Sequence, residues 1–398
     1  MKRRFYQPLN AEKEEIRLLL VKPGARLCFS LECFELGQSP AYYALSYTWG
    51  PANPGGNILV NERPFRVRAN LLEFLERLTE GKIPKQTRIS NSEHPLYIWI
   101  DQVCINQSNL EERGQQVQLM AEIYKHAAEV IVWLGNEKQD LSKAVQLVCL
   151  IAERKAKREV LWERLMSGND PWGSWGNNLW KEYHAQNDLC NKVMKDLHSG
   201  GYQPLFSIFH RRYWTRLWAL QEFVLAKKLI ILFDSVFLDG DTMQTLYKAI
   251  AVKDHDEMFG PANNFFKIRF HEYDWQRPSF HSAIMSSARL QCLDPRDRIF
   301  GILGFASGAA SLVVVDYSKS GPEVFWDAFK GLKPLKGASW ELNKADQIYE
   351  LGLAMGVTGE EEVARHASIV WTCKQMFGGK TPQKVFGYRT CSWLSNSC

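Results

Sequence analysis

The forty residues from Leu96 to Gly135, LYIWIDQVCINQSNLEERGQQVQLMAEIYKHAAEVIVWLG, restrict what this chain can fold into more than any other stretch. Leu96 to Ile100 is a short apolar run that stops at Asp101, the pattern of a strand buried on both faces. Ser108-x-x-Glu111 and Asn109-x-x-Glu112 are overlapping capping boxes that predict a helix start. Val117, Met120, Tyr124 and Ala127 then recur at helical spacing and give that helix one apolar face. Val130 to Leu134, β-branched and aromatic and closed by Gly135, predicts a second strand. Two buried strands joined by a helix predict a right-handed βαβ unit in a parallel sheet. Ligands of such sheets sit at the carboxyl ends of the strands, where Asp101 falls, so Asp101 is a candidate site residue. A carboxylate that merely caps a loop explains the same position equally well.

Upstream, Ile16–Val21 and Leu27–Phe34 are predicted strands joined by the turn at Lys22-Pro-Gly, and Tyr42–Gly50 is another strand running into a Pro/Gly-rich loop. Ile58–Val67 is predicted as a hairpin around Asn61-Glu62. Asn70 is predicted to cap a helix that ends near Gly81, and a polar segment, Lys82–His94, follows. Downstream, Leu141–Leu165 and Leu179–Leu197 are helical patterns separated by a Gly/Trp/Asn loop, the second ending at Ser199-Gly-Gly. This region reads as an insertion at about 138–205. Arg211–Leu225 is a predicted helix and Leu229–Phe233 a buried strand; from about 236 the chain is mostly helical.

Composition narrows the function classes. A hydrophobic share of 45% and a charged share of 23% describe an ordinary globular chain. The net charge of +5 is spread among acids with no basic run, which argues against nucleic acid as a partner. Nine cysteines, odd in number and without a C-x-x-C pair, point to a reducing compartment and a cytoplasmic location. Met1-Lys-Arg-Arg is followed by no apolar segment, so no secretory signal is expected, and runs such as Leu229–Phe233 are too short to span a bilayer. The histidines form no H-x-x-x-H or H-E-x-x-H pattern, so no metal is expected. Neither G-x-G-x-x-G nor a P-loop occurs, so a dinucleotide, if bound, would be a substrate rather than a resident cofactor. Cys104 and His126 are a conceivable nucleophile pair, though a packed, inert thiol explains Cys104 better. Asp294-Pro295-Arg296-Asp297 reads as a helix start with Asp294 as N-cap and Pro295 in the first turn, and Arg296 and Arg298 are within conceivable reach of the core site.

Three blocks together carry a family resemblance: Tyr43-x-Leu-Ser-Tyr-x-Trp-Gly50; Trp99-Ile-Asp-x-x-Cys-Ile-Asn-Gln107 with Glu112-Arg113 and Ile123-Tyr124; and Arg216-x-Trp-x-x-Gln-Glu222. Their order and spacing resemble the fungal heterokaryon incompatibility (HET) domain, well over residues 40–235 and more loosely to about 320. Gln102-Val103 and Ala219 depart from the residues usual there. The resemblance implies non-self recognition and regulated cell death, with self-association or other incompatibility proteins as partners. A fainter pattern (Ser46-Tyr47, Asp101, Arg113-Gly114, Val130–Trp133, Trp218-x-x-x-Glu222) is similar to that of TIR domains, whose enzymatic members cleave NAD with the corresponding glutamate.

The expectation is therefore a TIR-like, flavodoxin-like α/β core with a parallel sheet. N-terminal strands (1–39) pack on a domain at 40–235, and a mostly helical region (236–398) follows. Within predicted helix Arg211–Leu225, Trp214, Trp218 and Glu222 lie four apart and would share a face. A carboxylate there either pairs with an arginine such as Arg113 or Arg216, or stands at a cleft edge. The second case suits NAD glycohydrolysis. Nicotinamide leaves as a neutral molecule, so no acid need protonate it, and a fixed carboxylate stabilises the developing oxocarbenium ion. The resemblance implies Glu222 as the catalytic residue, with Ser46, Trp49, Asp101, Arg113 and Trp218 around the substrate. The alternative is a non-enzymatic signalling or scaffold module acting through protein assembly.

Overall fold

The structure is a computed structural model; it describes residues 5–22, 24, 26–51, 55–83, 95–136, 142–167, 178–186, 188, 203–233, 236–249, 255–270, 278–307, 313–330 and 351–357. The polar segment from 84 to 94, the Gly/Trp loop from 168 to 177 and the expected helix beyond 188 with its Ser199-Gly-Gly end lie outside the described residues. Packing divides the chain into two compact units, Met1–Gln276 and Arg277–Cys398.

The first unit is built on strands β1 (Glu15–Val21), β2 (Cys28–Glu35), β3 (Tyr42–Tyr47), β4 (Gly55–Val60), β5 (Arg63–Arg68), β6 (Tyr97–Trp99), β7 (Glu129–Trp133), β8 (Leu229–Phe233) and β9 (Val236–Asp239). Among the described residues they form a single nine-stranded sheet in the order β5–β4–β2–β1–β6–β3–β7–β8–β9. Its helices are α1 (Ala69–Thr79), α2 (Asp101–Cys104), α3 (Leu110–His126), α4 (Ser142–Ser167), α5 (Gln203–Phe209), α6 (Leu217–Leu225), α7 (Gly240–Ala249), α8 (His255–Phe259) and α9 (Asn263–Phe270).

The α/β class is as expected, and so is a parallel centre: β6, β3, β7 and β8 run parallel. The sheet as a whole is mixed, because β1 pairs antiparallel with both β2 and β6, β5 with β4, and β9 with β8. Every residue of β7 and β8 is buried, which is what continuous apolar runs in the middle of a covered sheet should give. The β6–α3–β7 unit is present, but β3 lies between its two strands, so they are not neighbours. The local pattern specifies two parallel strands and a crossover; which strand fills the gap is set by the burial of Tyr42, Ala44, Leu45, Ser46 and Tyr47 on both faces of β3.

Alternation along β3 sorts the helices. Tyr42 and Ser46 face α3 and α6, with the Tyr42 hydroxyl donating to Ile123 O at 2.6 Å. On the other face, Trp133 of β7 lies beside Tyr47 and packs against Phe74 of α1, ring centroids 5.9 Å apart. The Asn61-Glu62 hairpin forms as predicted, with both residues in the left-handed region (φ 50° and 65°) that a tight two-residue turn requires.

Three local expectations are corrected. Asn70 does not cap α1; it lies inside the first turn, donates to Thr48 O at 2.6 Å and accepts from Trp133 Nε1 at 2.9 Å. Asn109 alone caps α3, accepting from the Glu111 and Glu112 amides, because the Glu112 carboxylate is drawn away to Arg17. The predicted helix Arg211–Leu225 is broken: a 3-10 turn, Arg212–Thr215, is followed by extended Arg216 (φ −85°, ψ 133°), and α6 begins only at Leu217.

The second unit contains α10 (Phe280–Ser287), α11 (Asp297–Phe300) and α12 (Gly321–Lys330). Asp294 is not the helix cap. Its carboxylate binds Arg296 through the backbone amide at 3.0 Å, Nε at 2.8 Å and a terminal nitrogen at 2.6 Å, and α11 starts three residues later. The other terminal nitrogen of Arg296 donates to Tyr317 O and Lys319 O, and Arg298 donates to Ala288 O, all within this unit.

Candidate functional site

Glu222 lies in α6 against the Ser46 face of β3, and its side chain is almost wholly buried, with 2% of the residue exposed. Ser46, fully buried, donates its hydroxyl proton to the Glu222 carboxylate. Ser46 Oγ also lies 2.7 Å from the Tyr213 hydroxyl. Since Ser46 has one proton and gives it to Glu222, Tyr213 must be the donor to Ser46, and a Tyr213–Ser46–Glu222 relay results. The Tyr124 hydroxyl, which donates to Leu45 O at 3.1 Å, also reaches Glu222.

Burial pushes the Glu222 carboxyl up to about 7; Arg216 opposes the rise, Asp101 adds to it, and the neighbouring Ser46 and Tyr124 hydroxyls pull it back. Tyr213 and Tyr124 are likewise held above the ordinary tyrosine range by burial first and the Glu222 charge second.

Asp101 ends the β6 run and opens α2. Its carboxylate accepts from Trp49 Nε1 at 2.6 Å and from its neighbour Gln102 N at 2.7 Å. Its carbonyl accepts from Gln107 Nε2 at 2.9 Å. Burial raises its pKa against the opposing charge of Arg216. Arg68 lies over the Trp49 ring with its guanidinium 5.0 Å from the ring centre, and donates to Gly50 O at 2.6 Å. Gly50 has φ +68°, and that left-handed turn directs the chain off the end of β3.

Arg216 links the two clusters. It donates to Tyr47 O, and its charge acts on both Asp101 and Glu222. It sits at the break before α6, in extended conformation.

Ser46 and Glu222 therefore meet, and Trp49 meets Asp101. Trp218 lies half-buried one turn before Glu222 on α6. Trp214, expected on the same helix face, precedes the break; it is fully buried against Phe223, Phe265 and Phe266 and donates to Ile208 O. Arg113 is half-buried in the first turn of α3, while the arginine charge acting on Glu222 and Asp101 is that of Arg216. Tyr213 and Tyr124 were not anticipated. Tyr124 had a signal, because a tyrosine on a buried helix face needs a partner for its hydroxyl; Tyr213 had none, since a 3-10 turn has no apolar period to read.

Cys104 is fully buried, and burial pushes its thiol up to about 12; its sulfur accepts from Ile100 N, while His126 Nδ1 is engaged with Glu122 O, so the two do not pair. Among the described residues no three His, Cys, Asp or Glu side chains converge on a metal position. No helix of the described residues is long and apolar enough to cross a membrane.

Comparison with known proteins bears on these residues directly. No solved structure matches the chain. It is similar to heterokaryon incompatibility protein 6, OR allele, of Neurospora crassa, 25% identical over 362 residues covering 78% of this chain and 50% of the relative. The chain thus spans about half the length of that relative. The family model for heterokaryon incompatibility protein (HET) matches residues 42–222, from the first residue of β3 to Glu222 itself. Residues 42–222, which carry Ser46, Trp49, Asp101, Arg216 and Glu222, are a HET domain.

Proposed function

We propose that this protein acts in fungal heterokaryon incompatibility as a cytoplasmic cell-death effector, and that its HET domain cleaves NAD at the nicotinamide–ribose bond. The observation that carries the reading is Glu222: a buried carboxyl with a pKa of about 7, bound by Ser46 and neighboured by Arg216, beside the central strand of a parallel sheet centre. In this reading the glycosidic bond breaks, neutral nicotinamide leaves, and the Glu222 carboxylate stabilises the positive charge on the ribose. Water then adds to the anomeric carbon and its proton passes to Glu222, whose pKa near neutrality suits it to accept and release one. Trp49, Trp218, Asp101 and Arg113 would surround the substrate.

The reading takes the core as flavodoxin-like and TIR-like in descent. It takes residues 40–235 as the working domain with an insertion at 138–205, residues 1–39 as strands packed on it, and 236–398 as a C-terminal region. The test is NAD consumption by the purified chain, concentrated until it self-associates, beside a folded Glu222→Gln variant. Nicotinamide release by the parent and its loss in the variant is the expected result; equal cleavage by both would remove Glu222 from the chemistry.

A second reading is favoured by the depth of Glu222. With 2% of Glu222 exposed and Ser46 fully covered, the arrangement also suits a non-enzymatic module whose carboxyl is an interior anchor and which signals by assembly with incompatibility proteins. An assembled protein that leaves NAD intact supports this alternative.

A further inference from the structure

Arg17 is a charged residue in the middle of the apolar strand β1, between Ile16 and Leu18, and only 1% of it is exposed. Burying a guanidinium is costly unless its donors are satisfied. One terminal nitrogen donates to Glu112 at 2.6 Å and to Cys104 O at 3.0 Å; the other donates to the second Glu112 oxygen at 3.1 Å and to Gln7 O. Glu112, itself 6% exposed, also accepts from the Asn106 amide at 2.8 Å. Tyr6 lies under the guanidinium at 4.8 Å and donates to Val103 O at 3.0 Å.

Apart from the bond to Gln7, these ties land on residues 103–112, the segment that leaves Asp101 and enters α3. No tie touches Asp101 itself. The backbone on its carboxyl side is instead fixed at Val103, Cys104 and Asn106, while α2 spans only Asp101–Cys104 and is too short to hold its own place. Arg17 lies outside residues 42–222, yet β1 is the neighbour of β6, so the charge reaches the segment from an adjoining strand.

We propose that Arg17, with Glu112 and Tyr6, is a positioning residue that sets Asp101 against Trp49, so that the site-bearing unit begins in the N-terminal strands. This concerns site geometry; only its activity arm rests on the NAD reading.

The test uses the full chain with ¹⁵N-labelled tryptophan, the Trp49 indole resonance being identified by its loss in Trp49→Phe. Removing Arg17 alone would strand the Glu112 charge, so both are replaced together, Arg17→Met/Glu112→Met, an apolar pair that a buried site tolerates. The expected result is a cooperatively folded variant in which the Trp49 indole resonance moves and its N–H exchanges about tenfold faster, reporting a loosened bond to Asp101. Tyr6→Phe, which deletes only the tie to Val103, is expected to move the same resonance less and in the same direction, and it serves should the double variant fail to fold. An unmoved Trp49 signal in whichever of these variants is folded overturns the proposal. If the parent cleaves NAD, kcat is expected to fall with the Trp49 shift. A parent inactive on NAD whose Trp49 signal still moves leaves the positioning role standing and removes the enzyme reading; an active parent with an unmoved signal does the reverse.

Discussion

Burial keeps the Glu222 carboxyl protonated to about pH 7, whereas a glutamate in water releases its proton near 4.5. Between those values the folded chain holds one more proton than the unfolded chain. The stabilisation from this group is therefore complete below about 4.5 and is lost as pH rises through about 7, at up to about 1.4 kcal/mol per pH unit. Glu222→Gln removes the dependence, so the variant should gain on the parent by about 2 kcal/mol between pH 5 and 8, read by urea denaturation at several pH values. Curves that stay parallel would mean Glu222 titrates as an ordinary surface acid. Ser46→Ala should act on the same group from the other side. It deletes the donor to the ionised carboxylate and leaves the Tyr213 hydroxyl without its acceptor, at a cost of about 1–2 kcal/mol and with a further upward shift of the Glu222 titration. At this scale Ser46, Trp49, Asp101 and Glu222 could be singled out from the sequence because each ends a recognisable strand or sits in a motif. The pairings of Ser46 with Glu222 and of Trp49 with Asp101 were not legible, because each joins residues far apart along the chain. That Arg216 rather than Arg113 supplies the charge was not legible, because both arginines lie beside motif residues and only the chain path separates them.

The path in question is the break at Arg216. Trp214, Trp218 and Glu222 keep perfect helical spacing across it, and hydrophobic period alone cannot register a residue that leaves the helical region. The interruption follows from two tertiary demands. Trp214 is drawn into the cluster of Phe223, Phe265 and Phe266, and Arg216 is held at Tyr47 O. The helix that resumes, α6, has only nine residues and no side-chain cap at its start. Its far end is secured by Arg269 of α9, which donates to Phe223 O at 2.8 Å, Val224 O at 3.2 Å and Ala226 O at 2.8 Å. Burial pulls the Arg269 pKa down to about 10, still fully charged at neutral pH. Arg269→Met should free those carbonyls, cost about 1.5–3 kcal/mol in chemical denaturation and move the Glu222 titration, since α6 carries that carboxyl. A loss of stability with an unmoved titration would show that the C-terminal end of α6 does not govern its Glu222 face.

At the scale of the whole first unit, eight of the nine strands were legible; β9 (Val236–Asp239) falls in the stretch read as mostly helical, and strand order was not legible. Alternation and apolar runs mark β1, β3, β7 and β8 one by one, but Leu19 pairs with Ile98 across a long stretch of intervening chain, and nothing local encodes that partnership. The consequence reaches past the HET match. Residues 42–222 include β3 to β7 but omit β1, which lies between β2 and β6, and β8, which lies beside β7. Cut to that range, the chain would expose one edge each of β6 and β7, separate β4 and β5 from the rest of the sheet, and leave Glu112 buried without Arg17. A 42–222 fragment should therefore be aggregated or loosely packed, with no cooperative thermal transition. A 1–276 fragment retains all nine strands, Arg17 and Arg269, and should unfold in a single sharp step with the Glu222 titration of the full chain. Circular dichroism melts and gel filtration of the two fragments decide it. Sharp unfolding of the 42–222 piece as a monomer would show that the N-terminal strands decorate the domain rather than complete it.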